Sequence, residues 1–129
     1  MFGYHGCYLR IDVTRGRVER VPIAEAVLRQ FIGGSGLGAW LLLHEGQAAG
    51  DPFDPAAPLI FAFSPLVGSP LTTSAKFAVV SKSPLTERIN DSLAGSGFAL
   101  FVQVTVGQQN NFIRRYQGWS GKGHAAGRG

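Results

Sequence analysis

The sequence predicts an α+β fold that is rich in β-strands and carries two short helices near residues 23–45. Apolar residues alternate along residues 8–13 and 17–21, which is the period of a strand, whereas residues 23–32 show helical spacing. The 18 glycines and seven prolines indicate many turns and argue against a helix bundle. With 45% hydrophobic and 16% charged residues, the 129-residue chain has the composition of one folded domain.

The first two strands are expected to form a hairpin. Leu9, Ile11 and Val13 share one face of the first strand. Residues 14–16, Thr-Arg-Gly, have turn chemistry, and the alternation resumes after them at residues 17–21. We therefore predict an antiparallel pair at the N-terminus.

Two helices are predicted next, with a glycine-rich run between them. The first covers residues 23–32, and residues 37–45 form a second, mostly buried helix. The run at residues 33–38, Gly-Gly-Ser-Gly-Leu-Gly, could be a phosphate-binding loop, because glycines let backbone N–H groups approach an anion. A dinucleotide loop, however, follows a strand and has the spacing G-x-G-x-x-G. We favour a turn between two helices and keep the nucleotide site as the alternative.

Loops and strands alternate in the second half of the chain. Asp-Pro pairs indicate a loop, continuous apolar runs indicate buried strands, and clusters of small residues indicate turns. On these grounds we predict a loop at residues 46–58, a buried strand at 59–63, a long ordered loop at 64–75, a strand at 76–81 and a small-residue turn at 92–97, after which a helix could begin at Phe98.

The charge of the chain is concentrated at its C-terminal end. Residues 1–100 carry eight basic and eight acidic side chains, so the whole net charge of +4 lies in residues 101–129. An excess of positive charge favours an anionic partner. Because aromatic residues interleave with these cations, one hypothesis for the tail is a nucleic-acid-binding arm. The cations are Arg114, Arg115, Lys122 and Arg128.

Several classes of protein are excluded by composition. No apolar run approaches the roughly 20 residues that span a bilayer, and the N-terminus has no signal-peptide pattern, so we expect no membrane partner and a cytoplasmic location. Cys7 is the single cysteine, which excludes an internal disulfide and a four-cysteine zinc site. It equally excludes a [4Fe–4S] cluster held by this chain alone. We assign no catalytic residue and no metal ligand.

Two segments are candidates for a binding site. Residues 72–76, Thr-Thr-Ser-Ala-Lys, place a cation after hydroxyl groups at the start of a strand. The small residues at 91–97 would let a flat ligand come close to the backbone. Either segment alone is also explained as a turn between strands. If the fold brings them together, they form a cleft with one fixed positive charge, which suits phosphate or another oxyanion.

Several motifs resemble one known family. Residues 31–42 (FIGGSGLGAWLL), 59–68 (LIFAFSPLVG) and 77–86 (FAVVSKSPLT) are similar, in colinear order, to the N-terminal domain of tungsten-containing aldehyde:ferredoxin oxidoreductases. Residues 3–13 also resemble the start of that domain, so the resemblance covers about residues 3–100. The combination Ser-Pro-Leu-x-Gly, then Val-x-Ser-Lys-Ser-Pro-Leu-Thr, is its most specific part.

The resemblance implies a β-rich domain at residues 1–106 that cradles a tungsten- or molybdenum-bis-pterin with a bridging magnesium. Lys76 stands where the family has an arginine that contacts the cofactor, and lysine keeps the charge but not the bidentate fork. Residues 91–97 correspond to the small-residue loop that lies against the pterins, with Leu93 where the family often has asparagine. The implied cofactor contacts in this loop are Ala94, Gly95 and Ser96.

Residues 107–129 form a basic tail that resembles a later segment of the same domain. Residues 111–116 are similar to a strand of the family, and residues 123–129, GHAAGRG, are similar to a motif that contacts the cofactor. A block of the family's domain between residues 100 and 107 is absent. The resemblance makes the pterin phosphates a better partner for the tail than a nucleic acid. The implied contacts are His124, Ala125, Ala126 and Arg128.

We therefore expect the N-terminal cofactor-binding domain of an aldehyde:ferredoxin oxidoreductase, a family that oxidises aldehydes to carboxylic acids with ferredoxin as acceptor. By itself the chain is expected to be inactive, because the cluster-binding and catalytic domains of the family are not among these residues. Ferredoxin would interact only through a complete enzyme. The alternative is a non-catalytic scaffold or partner subunit that a separate chain completes with the remaining domains, and metal and pterin content separates the two.

Overall fold

A computed structural model describes residues 4–46, 50–95, 97–105 and 111–115. Within these residues one six-stranded sheet has the strand order β2-β1-β6-β3-β4-β5. Three helices pack on it or follow its strands. The strands are β1 (Cys7–Asp12), β2 (Arg17–Pro22), β3 (Pro58–Phe63), β4 (Lys76–Lys82), β5 (Ile89–Gly95) and β6 (Asn111–Arg115), and the helices are α1 (Glu25–Phe31), α2 (Gly34–His44) and α3 (Gly97–Thr105).

The sheet is mixed, because β1 and β6 are parallel while every other neighbouring pair is antiparallel. The predicted hairpin of β1 and β2 is confirmed. β6 comes from the segment predicted as a basic tail, and it lies between β1 and β3 in the sheet. The strand expected near residues 111–116 is therefore present and joins the hairpin to the antiparallel strands β3, β4 and β5. The division of the chain at residue 106 stays a prediction.

Both faces of the central strands are covered. On one face, α1 and α2 bury a core with β1, β3 and β4; on the other, a smaller core lies between β3, β4, α3 and the loop at 64–75. Because strand side chains alternate between faces, burial on both sides explains the continuous apolar run predicted as a strand at residues 59–63. The buried residues are Tyr8, Ile23, Leu28, Leu37, Leu41, Leu42, Ile60, Ala62, Ala78 and Val80 in the first core, and Phe63, Val67, Phe77, Ala99 and Val102 in the second.

The glycine-rich run lies mostly inside a helix. Since α2 begins at Gly34, only Ile32 and Gly33 form the turn between α1 and α2, and the predicted start at residue 37 is wrong by three residues. A Cβ atom on Gly33 would lie 2.8 Å from the carbonyl oxygen of Phe63. Gly33 thus allows the start of α2 to approach β3 closely. This close packing explains why a glycine stands at position 33.

The small-residue turn predicted at residues 92–97 is wrong over most of its length. Ile89–Gly95 is a strand that pairs with β4 along seven residues. Its small and polar side chains lack the apolar alternation of a half-buried strand, because every residue of this edge strand is exposed. The helix expected to begin at Phe98 is confirmed as α3, one residue earlier.

No helix in the described part of the chain has both the length and the apolar character to cross a membrane. Across the same residues, no three or more histidine, cysteine, aspartate or glutamate side chains are grouped so that they could hold a metal ion.

Candidate functional site

A cleft of about 470 Å³ lies where β4 begins and β5 ends. The sheet register creates it, because Lys76, the first residue of β4, pairs with Gly95, the last residue of β5. The two segments singled out in the sequence are therefore neighbours, and the loop at 64–75 forms the rest of the wall. The described lining residues are Gly68, Ser69, Leu71, Thr73, Ser74, Ala75, Lys76, Gly95 and Leu100.

Lys76 supplies the positive charge of the cleft. It is the one charged residue among the described lining residues, and its side chain is exposed. A Cβ atom on Gly95 would lie 3.3 Å from Cδ and 3.4 Å from Nζ of Lys76. The side chain of Lys76 therefore lies across the backbone of β5, and the absence of a side chain at Gly95 leaves the space for it.

The loop beside Lys76 places three hydroxyl-bearing residues along the cleft: Ser69, Thr73 and Ser74. The Lys76 N–H donates to the carbonyl of Ser74 at 2.8 Å, and the Ser64 N–H donates to the carbonyl of Lys76 at 3.0 Å, so the loop is tied to β4 at both ends. Thr73 has φ of 62°, a conformation that is rare for a β-branched residue and is often found at ligand sites.

The Ser69 hydroxyl is a buried polar group on a residue that lines the cleft. Its Oγ is buried and has no hydrogen-bond partner among the described residues. A buried, unsatisfied hydroxyl is costly, and a bound water or ligand that accepts from it removes the cost. The Lys76 ammonium makes the cleft chemically suited to an oxyanion such as a phosphate group, whereas the buried Ser69 Oγ would have to move to reach it.

The predicted cofactor contacts are only partly within the described residues. Lys76 and Gly95 line the cleft together. Ala94 lies next to it on β5, opposite Phe77, but is not a lining residue. The roles of these three residues stay predictions. Outside the described residues lie Ser96, His124, Ala125, Ala126 and Arg128.

One contact between β5 and α2 was not foreseen. The Ser35 hydroxyl, in the first turn of α2, donates to a carboxylate oxygen of Asp91 on β5 at 2.5 Å. The two residues are 56 positions apart, and although both lie in segments that the sequence analysis singled out, neither segment predicts the pair. The bond ties the edge strand that carries Gly95 to α2, and so helps to hold one wall of the cleft.

A second unforeseen cluster joins β1 to the end of α2. The Glu45 side chain is 2% exposed and accepts hydrogen bonds from the Tyr8 hydroxyl and from Arg10. The contact to Arg10 is bidentate, with Nη2 at 2.8 Å and Nε at 3.2 Å from the two carboxylate oxygens. Arg10 also contacts Glu19 at 3.1 Å. None of these residues lines the cleft, so the cluster stabilises the scaffold.

Burial, together with the neighbouring Glu45 carboxylate, raises the pKa of Tyr8 to about 12. The hydrogen bond from Arg10 to Glu45 raises the pKa of Arg10 as well. Both shifts follow from one arrangement, in which a buried carboxylate favours a neutral phenol and a charged guanidinium beside it.

The raised pKa of Tyr8 predicts a loss of stability in strong base. An unfolded tyrosine loses its proton near pH 10, while Tyr8 in the folded chain retains it to about pH 12. The free energy of unfolding should therefore fall as the pH rises from 10 to 12, by up to about 1.4 kcal/mol per pH unit. Urea unfolding at several pH values should show a steeper fall for the wild type than for Tyr8→Phe. Parallel curves would contradict this.

Comparisons with known proteins place the cleft within a matched region. The family described as "Aldehyde ferredoxin oxidoreductase, N-terminal domain" matches residues 8–106. The chain is 39% identical over 97 residues to a tungsten-containing aldehyde ferredoxin oxidoreductase of Pyrococcus abyssi, a match that covers 75% of this chain and 16% of that protein. It is 34% identical over 103 residues to an aliphatic sulfonate oxidoreductase, WOR-like subunit, of Pyrococcus furiosus, covering 78% and 16%.

A solved structure is similar as well. It is the active-site complex BamBC of benzoyl coenzyme A reductase with 1,5-dienoyl-CoA, with a TM-score of 0.78 at 28% identity. The match covers 90% of this chain and 18% of the other. The chain thus spans about one sixth of the length of the curated relatives that it matches.

Proposed function

The chain belongs to the family of aldehyde ferredoxin oxidoreductase N-terminal domains, and we propose that it forms the cofactor-binding part of an oxidoreductase with a tungsten- or molybdenum-bis-pterin. The observation that carries the proposal is the pairing of Lys76 with Gly95, which assembles a cleft inside the matched region. The names of the relatives, tungsten-containing oxidoreductases among them, support the class of cofactor.

The residues present fit an anionic group of such a cofactor. Lys76 offers an exposed cation, and Gly95 leaves the space in which its side chain lies. A phosphate group accepts hydrogen bonds from the Lys76 ammonium, whose side chain lies in the space that Gly95 leaves open. When bound, the cofactor supplies the metal at which aldehydes are oxidised to carboxylic acids. The residues of this chain bind and orient it.

Further contacts are proposed from residues near and beyond the cleft. A bridging magnesium is part of the proposal, and Leu93 offers it no oxygen ligand, so backbone carbonyls, water or phosphate would have to provide the ligands. The proposed cofactor contacts in addition to Lys76 and Gly95 are Ala94, Ser96, His124, Ala125, Ala126 and Arg128.

Replacing Lys76 should strongly reduce cofactor retention. Loss of one charge-assisted contact, worth about 1.5–3 kcal/mol, should lower the affinity at least about tenfold. The chain would be expressed with tungstate or molybdate in a host that makes the pterin. Metal would be measured by mass spectrometry and pterin by the fluorescence of its oxidised form. We expect Lys76→Ala to lose most of both and Lys76→Arg to keep them.

Arg29→Ala is the control for net charge, because Arg29 is an exposed side chain paired with Glu25 on α1 and does not line the cleft. Equal metal and pterin contents in Lys76→Ala and Arg29→Ala would contradict the assigned role of Lys76. Wild-type chain without metal or pterin would favour the alternative of a non-catalytic scaffold or partner subunit.

We further propose that these 129 residues do not oxidise aldehydes alone. One cysteine cannot hold a [4Fe–4S] cluster, so electrons have no route to ferredoxin except through the remaining domains of a complete enzyme. Anaerobic assays with several aldehydes and a viologen dye should give no reduction above that of buffer. Sustained reduction by purified chain would contradict this expectation.

A further inference from the structure

α3 carries apolar side chains on the side that faces away from the sheet. Seven of its nine residues are glycine or apolar, and only Gln103 and Thr105 are polar. Ala99 and Val102 are buried against the sheet, and Phe98 contacts the ring of Phe77 on β4 although it is 46% exposed, whereas Phe101 is 65% exposed. A helix that is apolar on all sides is usually buried on all sides, but no described residue covers the outer face of α3 at Phe101.

The exposed side chains of α3 are continuous with the cleft. Leu100 on α3 and Leu71 on the loop at 64–75 both line the cleft, and both are largely exposed. With Phe98 and Phe101 they form what we call the α3 patch. Grouped large apolar side chains on a protein surface mark an interaction site. Whatever covers the α3 patch also borders the place where Lys76 is expected to hold the cofactor.

We propose that the α3 patch is the docking surface for the part of the oxidoreductase that lies outside this region, on the same polypeptide or on a second one. The inference rests on the proposed function. Two observations favour this occupant over a second copy of the chain. About five sixths of each curated relative lies outside the match, and cofactor sites form preferentially where domains meet, which is where the patch borders the cleft.

Phe101 offers the sharpest test, because it belongs to the patch but does not line the cleft. The chain would be co-expressed with the Pyrococcus abyssi relative from which the matching segment has been removed. We expect a one-to-one complex whose dissociation constant rises at least about tenfold for Phe101→Glu. Val18→Glu is the matched control, since Val18 is 60% exposed on β2, at the opposite edge of the sheet.

A chimera provides a second measurement if the shortened relative does not fold. Residues 8–106 of this chain would replace the matching segment of the relative. Phe101→Glu should then lower the melting temperature of the chimera by several degrees more than Val18→Glu does. Circular dichroism of the isolated variants verifies that each substitution leaves the domain folded.

Several results would overturn the inference: a complex that tolerates Phe101→Glu, a chimera in which both substitutions have the same effect, or neither assembly forming. A dimer of the isolated chain that Phe101→Glu dissociates would also overturn it, because a second copy would then be the occupant. Metal and pterin content of the isolated chain is measured separately. Loss of docking with cofactor retained contradicts this inference alone, whereas absence of cofactor in the wild type contradicts the proposed function.

Discussion

Replacing Arg10 with alanine should lower the free energy of unfolding by about 3 kcal/mol, which is the cost expected when one partner of a buried ion pair is removed. The Glu45 carboxylate is 2% exposed, and the Arg10 guanidinium binds both of its oxygens. Without Arg10, the Tyr8 hydroxyl stays as its donor, and a charge buried between β1 and α2 loses its counter-ion. Urea unfolding at neutral pH measures the effect.

Two variants verify the cause of this loss. Arg15→Ala removes an exposed arginine from the same hairpin, where the contact to Asp12 is 4.0 Å, and should change stability by less than about 0.5 kcal/mol. The triple variant Tyr8→Phe/Arg10→Met/Glu45→Leu should recover much of the loss, because it also removes the Tyr8 hydroxyl that donates to Glu45, and apolar residues of similar size often replace a buried pair without cost. Equal effects of Arg10→Ala and Arg15→Ala would show that the cluster contributes nothing.

Gly38→Ala should destabilise the fold by about 2 kcal/mol, although alanine normally favours a helix over glycine by about 1 kcal/mol. A Cβ atom on Gly38 would lie 2.5 Å from Cγ2 and 3.2 Å from Cβ of Val80, and 3.4 Å from Cβ of Ala62. Val80 is fully buried and stiff at χ1, so it cannot turn away. Helix α2 would have to move off β3 and β4, which would loosen the larger core.

Gly97→Ala is the control for Gly38→Ala. Among the described residues, nothing beyond the adjacent helix backbone lies within 4 Å of a Cβ placed on Gly97 at the start of α3, so this change should be neutral or slightly stabilising. Val80→Ala should offset part of the cost of Gly38→Ala, because it removes Cγ2, the closest of the three contacting atoms. If both glycine variants unfold at the same urea concentration, packing against Val80 and Ala62 does not require a glycine at position 38.

Local sequence patterns predicted an element where its buried residues recur with the period of a strand or a helix. The buried strand β3 and the amphipathic helix α1 were predicted within a few residues because each buries at least one face, whereas the hairpin was predicted from its alternation and from the turn chemistry between its strands. The edge strand β5 was predicted as a turn. Its side chains are all exposed, so they show no apolar alternation that would indicate a strand. Its backbone pairing with β4, a contact between distant segments, makes it a strand.

By itself, the sequence determined the α+β class, the membership of the family and the two segments that could bind an anion, because composition, periodicity and motifs are local. Only the tertiary structure decided that Lys76 lies across Gly95, that Ser35 binds Asp91 and that Arg10 neutralises Glu45. Each pair joins residues far apart in the chain. Their contact depends on strand register and on the position of α2, and no pattern within either segment specifies these.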